Sequence, residues 1–298
     1  MIVKEEKKQQ LLEKNGFFVT SLLTEDQLNL LRKLYVQSPM KNVGFTASAH
    51  MDDIQKRKEI SNKIKKAVEP SLADMFINID VLGASFVVKS SDYPHVLQPH
   101  QDWNIVDETK HRSYNIWIPL VDTNQDNGGI LVMPGSHNWI QTYRHSSIPC
   151  AFQDVHGELL KVMLTLNIPA GHALVYDHAL IHASHPNISS ENRVAIAVGI
   201  KPNNASMHLH WNNNGKIEKY NVDEHYFMEK NIFNKPEKHF FSEVIHYDFP
   251  KVNFSILSEL SGFEFEKEPS IITKSWYKTY TPRNILMEIL FRIKRISG

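Results

Sequence analysis

The chain has 298 residues, with 33 basic and 33 acidic side chains, so its formal charge is zero. It therefore lacks the basic field that nucleic-acid binding requires, and we expect no nucleic-acid partner. Its single cysteine, Cys150, excludes a disulfide framework and a thiolate-rich metal site within this sequence. The 16 histidines are the feature that points to function, because imidazole is the commonest protein ligand of transition metals.

The N-terminal sequence and the hydropathy pattern bear on location. Residues 1–8 are charged and contain no apolar stretch of the kind found in signal peptides. No run of residues is long and apolar enough to predict a membrane span. Together with the single cysteine, this favours a reducing, cytoplasmic location.

Helices are predicted in the first quarter of the chain. Residues 5–15 and 24–36 have helical spacing, and Thr24 with Gln27 forms a capping-box pattern at the start of the second. Residues 16–20 between them predict a short strand, and residues 52–68 predict another helix. The segment 41–60 is interpreted either as a lid over a site or as an ordinary loop and helix.

From about residue 72 the pattern changes to short apolar runs separated by turn residues, which is typical of a sandwich or barrel. The runs are 85–89, 114–120, 130–133, 163–168, 172–176 and 193–200. We predict an eight-stranded jelly roll over about residues 72–202. The whole chain, 1–298, is then a single domain with a helical N-terminal part (1–71) and a C-terminal extension (203–298).

The end of the chain predicts an amphipathic helix over residues 283–296, opened by Thr281 and Pro282. Its apolar face favours docking on its own domain or on a second subunit. Contact with a membrane surface is the less favoured alternative, because the helix also carries basic residues. The oligomeric state stays open.

The first candidate site is a pair of metal-ligating side chains, His100 and Asp102. Residues two apart on a strand point to the same face, so both can bind one ion while Gln101 points away. A third ligand has to come from a distant strand, and His182 is the candidate. Two histidines and one carboxylate on one side of a metal are typical of non-haem iron(II) oxygenases. The rivals of His182 for this role are His172, His178 and His185.

The second candidate site is the strand that begins at Arg193. Alternation places Arg193, Ala195, Ala197 and Gly199 on one face, so that a guanidinium lies beside small residues. A buried guanidinium needs a partner, and its planar fork suits a carboxylate. That partner is either a ligand carboxylate or an internal acid such as Asp177.

Three separated motifs resemble the phytanoyl-CoA dioxygenase family over about residues 10–200. The motifs, in chain order, are His100-Gln101-Asp102, the segment NGGILVMPGSH at 127–137, and His182-x-Ser184 followed by Arg193. The resemblance implies a double-stranded β-helix, the cupin-like jelly roll, flanked by helices. It also implies that the protein uses Fe(II), 2-oxoglutarate and O2 to oxidise a small organic substrate, releasing succinate and CO2.

The resemblance assigns roles residue by residue. It implies that His100, Asp102 and His182 bind iron, and that Arg193 binds the far carboxylate of 2-oxoglutarate with Ser184 beside it. It further implies that Lys89, Gln101 and Trp117 line the co-substrate pocket. For two of these, simpler interpretations stand beside it: Trp117 as ordinary core and Lys89 as a solvated strand end.

A carboxylate at position 102 favours hydroxylation over halogenation, while desaturation and ring formation stay open. The sequence does not define the substrate, for which lipids, amino acids and natural products are all candidates. One rival hypothesis is a non-catalytic, cupin-like protein that binds a metal or a sugar. A second is a cupin-type isomerase or hydrolase that uses zinc or manganese and performs no redox chemistry.

Overall fold

A computed structural model describes residues 1–40, 43–91 and 93–263 of the chain. The helix predicted at 283–296 lies outside the described residues. Within them, no helix is both long and apolar enough to span a membrane.

Three helices precede the main strands and cover one face of the fold. They are α1 (Glu6–Asn15), α2 (Glu25–Val36) and α3 (Ile54–Met75). The predicted capping box of α2 is present, since Thr24 and Gln27 exchange side-chain and backbone hydrogen bonds. Helix α3 continues through Pro70 to Met75, beyond its predicted end at 68. Pro70 has no backbone N–H and so cannot donate a helical hydrogen bond. The burial of Leu72 in the core offsets this loss.

Ten strands form two antiparallel sheets. The strands are β1 (Phe17–Ser21), β2 (Phe45–Ala47), β3 (Ile79–Lys89), β4 (Leu97–His100), β5 (Tyr114–Pro119), β6 (Ile130–Val132), β7 (Leu164–Leu166), β8 (His172–Asp177), β9 (His182–Ser184) and β10 (Arg193–Pro202). The larger sheet has the order β1-β8-β5-β10-β3-β2 and the smaller has the order β4-β9-β6-β7. Strands β3 to β10 divide equally between them, so the predicted jelly roll with flanking helices is confirmed.

The two faces of the larger sheet serve different purposes. Side chains such as Phe86, Val194 and Ile196 pack against the three helices in the main core. The opposite face contributes Trp117 and Ala195 to a smaller core shared with the four-stranded sheet. The alternation predicted for β10 is therefore present, and the face that carries Arg193 lies between the two sheets.

The part of the extension that the structure describes forms a small third sheet with two short helices. Its elements are β11 (His208–Asn213), β12 (Lys216–Asn221), α5 (Glu224–Glu229), β13 (Phe241–Ile245) and α6 (Phe254–Ser261). A bridge between Val106 and Met207 and a shared apolar cluster join this sheet to the loop that follows Asp102. One short helix, α4 (His156–Val162), lies within the jelly roll before β7.

Candidate metal and co-substrate site

His100, Asp102 and His182 lie together at one edge of the smaller sheet. The register of β4 and β9 places His100 directly opposite His182. Asp102 Oδ1 lies 3.9 Å from His100 Nε2 and 3.7 Å from His182 Nε2. One donor atom from each residue falls within 4.8 Å of the other two, a spacing that suits a single metal ion.

Asp102 reaches this cluster in a different way from the one predicted. Strand β4 ends at His100, so Asp102 lies in the following loop and not on a shared strand face. The prediction that alternation on one strand aligns the two side chains was therefore wrong, although the two side chains do converge.

Both imidazoles are oriented by the backbone two residues before them. His100 Nδ1 donates to the carbonyl of Gln98 at 2.7 Å, and His182 Nδ1 donates to the carbonyl of Leu180 at 3.0 Å. A proton on Nδ1 leaves the lone pair on Nε2, the atom that faces Asp102. This is the arrangement that metal-ligating histidines usually adopt.

Electrostatics keep His100 and Asp102 in the protonation states that a metal requires. Burial, and then the nearby charge of His182, lowers the pKa of His100 to about 4, so its ring is neutral near pH 7. Burial alone would raise the pKa of Asp102. The charges of His182, His178 and His100 and a hydrogen bond from Tyr176 outweigh that effect and lower the pKa of Asp102 to about 2.

The three rival histidines lie outside the cluster. His178 Nδ1 is hydrogen-bonded to Ser113 Oγ at 2.9 Å, and His185 Nε2 is hydrogen-bonded to Thr165 Oγ1 at the same distance. His172 begins β8, paired with Ser21 at the edge of the larger sheet. Among the described residues, the only metal-binding group found is His100, Asp102 and His182.

Arg193 is buried, with 1% of its surface exposed, and two of its guanidinium nitrogens have no protein partner. Its Cζ lies 5.2 Å from the centre of the Trp117 ring. Asp177, the alternative partner, instead accepts from the amide of Ala179 and lies 3.8 Å from Arg112. Within the described chain Arg193 forms no ion pair, so the internal salt-bridge alternative was wrong.

Lys89 lies beside Arg193 and is fully buried, so its interpretation as a solvated strand end was wrong. Its Nζ donates to Ser184 Oγ at 2.8 Å and to the carbonyl of His185 at 2.5 Å. Burial, and then the charge of Arg193, lowers the pKa of Lys89 well below its usual range. The structure describes no acid paired with either cation.

Ser184 connects the two halves of the site. It lies two residues after His182 on β9, so both side chains point to the same face, and its hydroxyl contacts Lys89. The spacing along the strand places Ser184 about 7 Å from His182.

Trp117 and Gln101 occupy two different settings. Trp117 is buried in the core between the sheets and also faces Arg193, while its pocket-lining role stays a prediction. Gln101 spans two protein groups: its amide donates to the carbonyl of Ala179 at 2.6 Å and accepts from Thr142 at 3.1 Å. Gln101 thus holds the turn that precedes His182, and its pocket-lining role stays a prediction.

The side chains that hydrogen-bond to Asp102 are not part of the sequence motifs. Its Oδ2 accepts from the Tyr176 hydroxyl at 3.0 Å and from Asn115 Nδ2 at 3.4 Å. Its backbone carbonyl accepts from Arg144 Nε at 2.7 Å, and Arg144 is paired with Glu108. Asn115 precedes Trp117 by two on β5, so strand alternation could have indicated it. Tyr176 and Arg144 become visible only through the strand register and the loop packing.

The fold and this cluster define a jelly-roll protein with two histidines and one carboxylate at a common point, beside two buried cations. Residues 23–195, more than half of the chain, match the phytanoyl-CoA dioxygenase (PhyH) family, and the chain belongs to that family. It is therefore an enzyme of the iron- and 2-oxoglutarate-dependent oxygenase type. No curated protein matched the sequence.

Solved structures show the same fold at low sequence identity. The non-heme alpha-ketoglutarate-dependent carbocyclase SnoK from nogalamycin biosynthesis is 15% identical, with a TM-score of 0.53 over 81% of this chain and 96% of SnoK. The epimerase SnoN, in complex with Fe3+, alpha-ketoglutarate and nogalamycin RO, is 17% identical, with a TM-score of 0.50 over 68% of this chain and 85% of SnoN.

Proposed function

We propose that the protein is an Fe(II)- and 2-oxoglutarate-dependent dioxygenase that hydroxylates a small organic substrate and releases succinate and CO2. His100, Asp102 and His182 are the proposed iron ligands, and Arg193 is the proposed anchor of the co-substrate. The observation that carries the proposal is the position of this cluster beside two buried cations without an acid partner.

The donor set fits iron(II). Two neutral imidazoles and one carboxylate are the ligands found in non-haem iron oxygenases, and as a facial set they leave positions open for other groups. His182 is buried, whereas His100 and Asp102 keep 35% and 27% of their side-chain surfaces exposed. The cluster is therefore buried on one side and accessible on the other.

The two cations fit the far carboxylate of 2-oxoglutarate. A buried charge without a partner is costly, and a guanidinium binds a carboxylate with two parallel hydrogen bonds. Arg193 is suited to that contact, while Lys89 and Ser184 are linked beside it and add an amino group and a hydroxyl. Gln101 and Trp117 are also proposed to line the co-substrate pocket, as the family resemblance implies.

When bound, iron with 2-oxoglutarate would supply the activation of O2 and the oxidising power. The residues of the chain bind and orient. Leu180 and Gln98 hold the imidazoles through their carbonyls, Arg193 fixes the co-substrate, and Trp117 with the core between the sheets excludes water from the guanidinium. Such exclusion strengthens the ion pair that Arg193 would form.

The remaining proposals concern the setting of the reaction. We propose that residues 1–298 act as one domain in the cytoplasm, with a small molecule as the substrate. SnoK and SnoN are described as a carbocyclase and an epimerase, so hydroxylation is the part of the proposal that most needs a test. A product heavier by one oxygen atom supports hydroxylation, whereas an unchanged mass would indicate epimerisation.

The test starts with anaerobic addition of Fe(II) and 2-oxoglutarate, which should produce a visible charge-transfer absorption. In air, succinate should form, and a substrate screen read by succinate release should find compounds that increase it. Asp102→Ala should abolish both signals, while Asp107→Ala, a change in the same loop outside the cluster, should retain them. A colourless wild-type sample would favour the non-redox cupin-like alternative, and undiminished turnover in Asp102→Ala would refute the ligand assignment.

A further inference from the structure

The carboxylate of Asp102 faces side chains of both sheets, although the residue belongs to neither. Its Oδ1 faces the two imidazoles of the smaller sheet, at 3.9 and 3.7 Å. Its Oδ2 accepts hydrogen bonds from Tyr176 and Asn115, which lie on β8 and β5 of the larger sheet. The two oxygens of one carboxylate therefore have different partners.

Tyr176 and Asn115 form a prearranged pair. They lie directly opposite each other in the register of β5 and β8. Asn115 Nδ2 donates to the Tyr176 hydroxyl at 3.1 Å, so that hydroxyl gives its own proton to Asp102. The Tyr176 ring also packs against His182, with 4.7 Å between the ring centres. Tyr176 thus contacts two of the three proposed ligands.

The main chain at Asp102 is fixed separately. Arg144 Nε donates to the Asp102 carbonyl at 2.7 Å. Arg144 is paired with Glu108, and both side chains are buried. Because Arg144 already restrains the backbone of Asp102, the hydrogen bond from Tyr176 acts mainly on the rotation of the carboxylate.

We propose that Tyr176, supported by Asn115, is a positioning residue that engages Oδ2 of Asp102, so that Oδ1 alone is offered to the metal. This inference rests on the proposed function. A carboxylate that presents one oxygen leaves more of the metal's coordination positions for the co-substrate and O2 than one that presents two. Without the hydroxyl, the carboxylate is free to rotate away from the imidazoles or to offer both oxygens.

The test uses Tyr176→Phe, with Tyr114→Phe as the matched control. Tyr114 is also a buried tyrosine of the larger sheet, but it packs in the core that faces the helices. The metal-free full chain is titrated with Mn(II), and the visible spectrum of the Co(II)-loaded protein is recorded. Neither measurement needs 2-oxoglutarate, O2 or turnover.

We expect Tyr176→Phe to weaken Mn(II) binding roughly 10- to 100-fold, the usual effect of losing a group that orients a ligand, and to change the Co(II) spectrum. Tyr114→Phe should match the wild type in both measurements. Wild-type Mn(II) affinity and an unchanged Co(II) spectrum in Tyr176→Phe would overturn the positioning role alone, and so would equal losses in both variants. A wild-type protein that binds no Mn(II) would overturn the proposed function as well.

Discussion

Replacing Arg193 with methionine should separate a ligand anchor from a structural arginine. Two buried nitrogens of the guanidinium have no partner among the described protein residues, and each costs about 1–3 kcal/mol if unpaired. Its contact with Trp117 returns about 0.5–2 kcal/mol. Arg193→Met should therefore leave the free energy of unfolding unchanged or raise it modestly, because methionine retains the apolar packing.

The same change should greatly weaken 2-oxoglutarate binding. Removing one partner of a buried, hydrogen-bonded charge pair costs about 2–5 kcal/mol, which is a roughly 30- to 4000-fold increase in Kd. Urea unfolding of the metal-loaded protein, with and without 2-oxoglutarate under anaerobic conditions, measures both effects. At 100 times its Kd the co-substrate should stabilise the wild type by about 2.7 kcal/mol. At the same concentration it should stabilise the variant by about 0.9 kcal/mol at most.

Arg57 provides the matched control. It is also a buried arginine, but its guanidinium donates to the carbonyls of Met51, Met228 and Lys230. Arg57→Met should lose about 1.5–3 kcal/mol of stability and keep the wild-type response to 2-oxoglutarate. The reasoning fails if Arg193→Met destabilises the free protein as Arg57→Met does, or if it keeps the full response to 2-oxoglutarate.

Two further predictions concern stability. A Cβ at Gly129 would lie 2.5 Å from the Asn124 carbonyl oxygen, so Gly129→Ala should cost about 1–3 kcal/mol in urea unfolding. In Gly199→Ala the new Cβ would lie an ordinary 3.5 Å from Leu82, so this change should cost little stability. Equal losses of stability in the two variants would contradict the predicted clash at Gly129. Burial raises the pKa of Asp177 from 3.8 to about 6. The protonated carboxyl therefore contributes fully to the free energy of unfolding below pH 4, and this contribution is lost as the pH rises through 6. Between pH 4 and pH 7, the free energy of unfolding of Asp177→Asn should therefore rise by roughly 3 kcal/mol relative to that of the wild type. Stability curves that stay parallel over this range would contradict the raised pKa of Asp177.

The sequence could predict features that depend on local periodicity. Alternation along β10 correctly separated the face of Arg193 from the face of Val194 and Ile196, because a strand has a strict period of two. The same rule failed for Asp102, because β4 ends two residues earlier and the sequence does not mark that end. The jelly roll was predictable because Gly, Pro and Asn mark the breaks between its short apolar runs.

The third sheet was not predicted, although one of its signals was present. Asn214 and Gly215 both have positive φ and join β11 to β12 in a two-residue turn, which Asn-Gly favours strongly. Strand β13 has mostly exposed side chains, so it gives no apolar pattern to detect. The contact between Tyr176 and Asp102 was beyond sequence reasoning because it depends on how two sheets are packed.

The division of the site between the sheets has a consequence for binding. The smaller sheet supplies both imidazoles, whereas the larger sheet supplies Lys89, Arg193 and the pair that holds Asp102. Among the described residues of the site, the side-chain contacts that join these halves include those of Tyr176 with Asp102 and His182, of Asn115 with Asp102, and of Lys89 with Ser184. A co-substrate that binds the metal at one end and Arg193 at the other would add a further link between the sheets. Under the proposed function, metal and co-substrate should therefore each strengthen the binding of the other by the same factor, since binding free energies are reciprocally coupled.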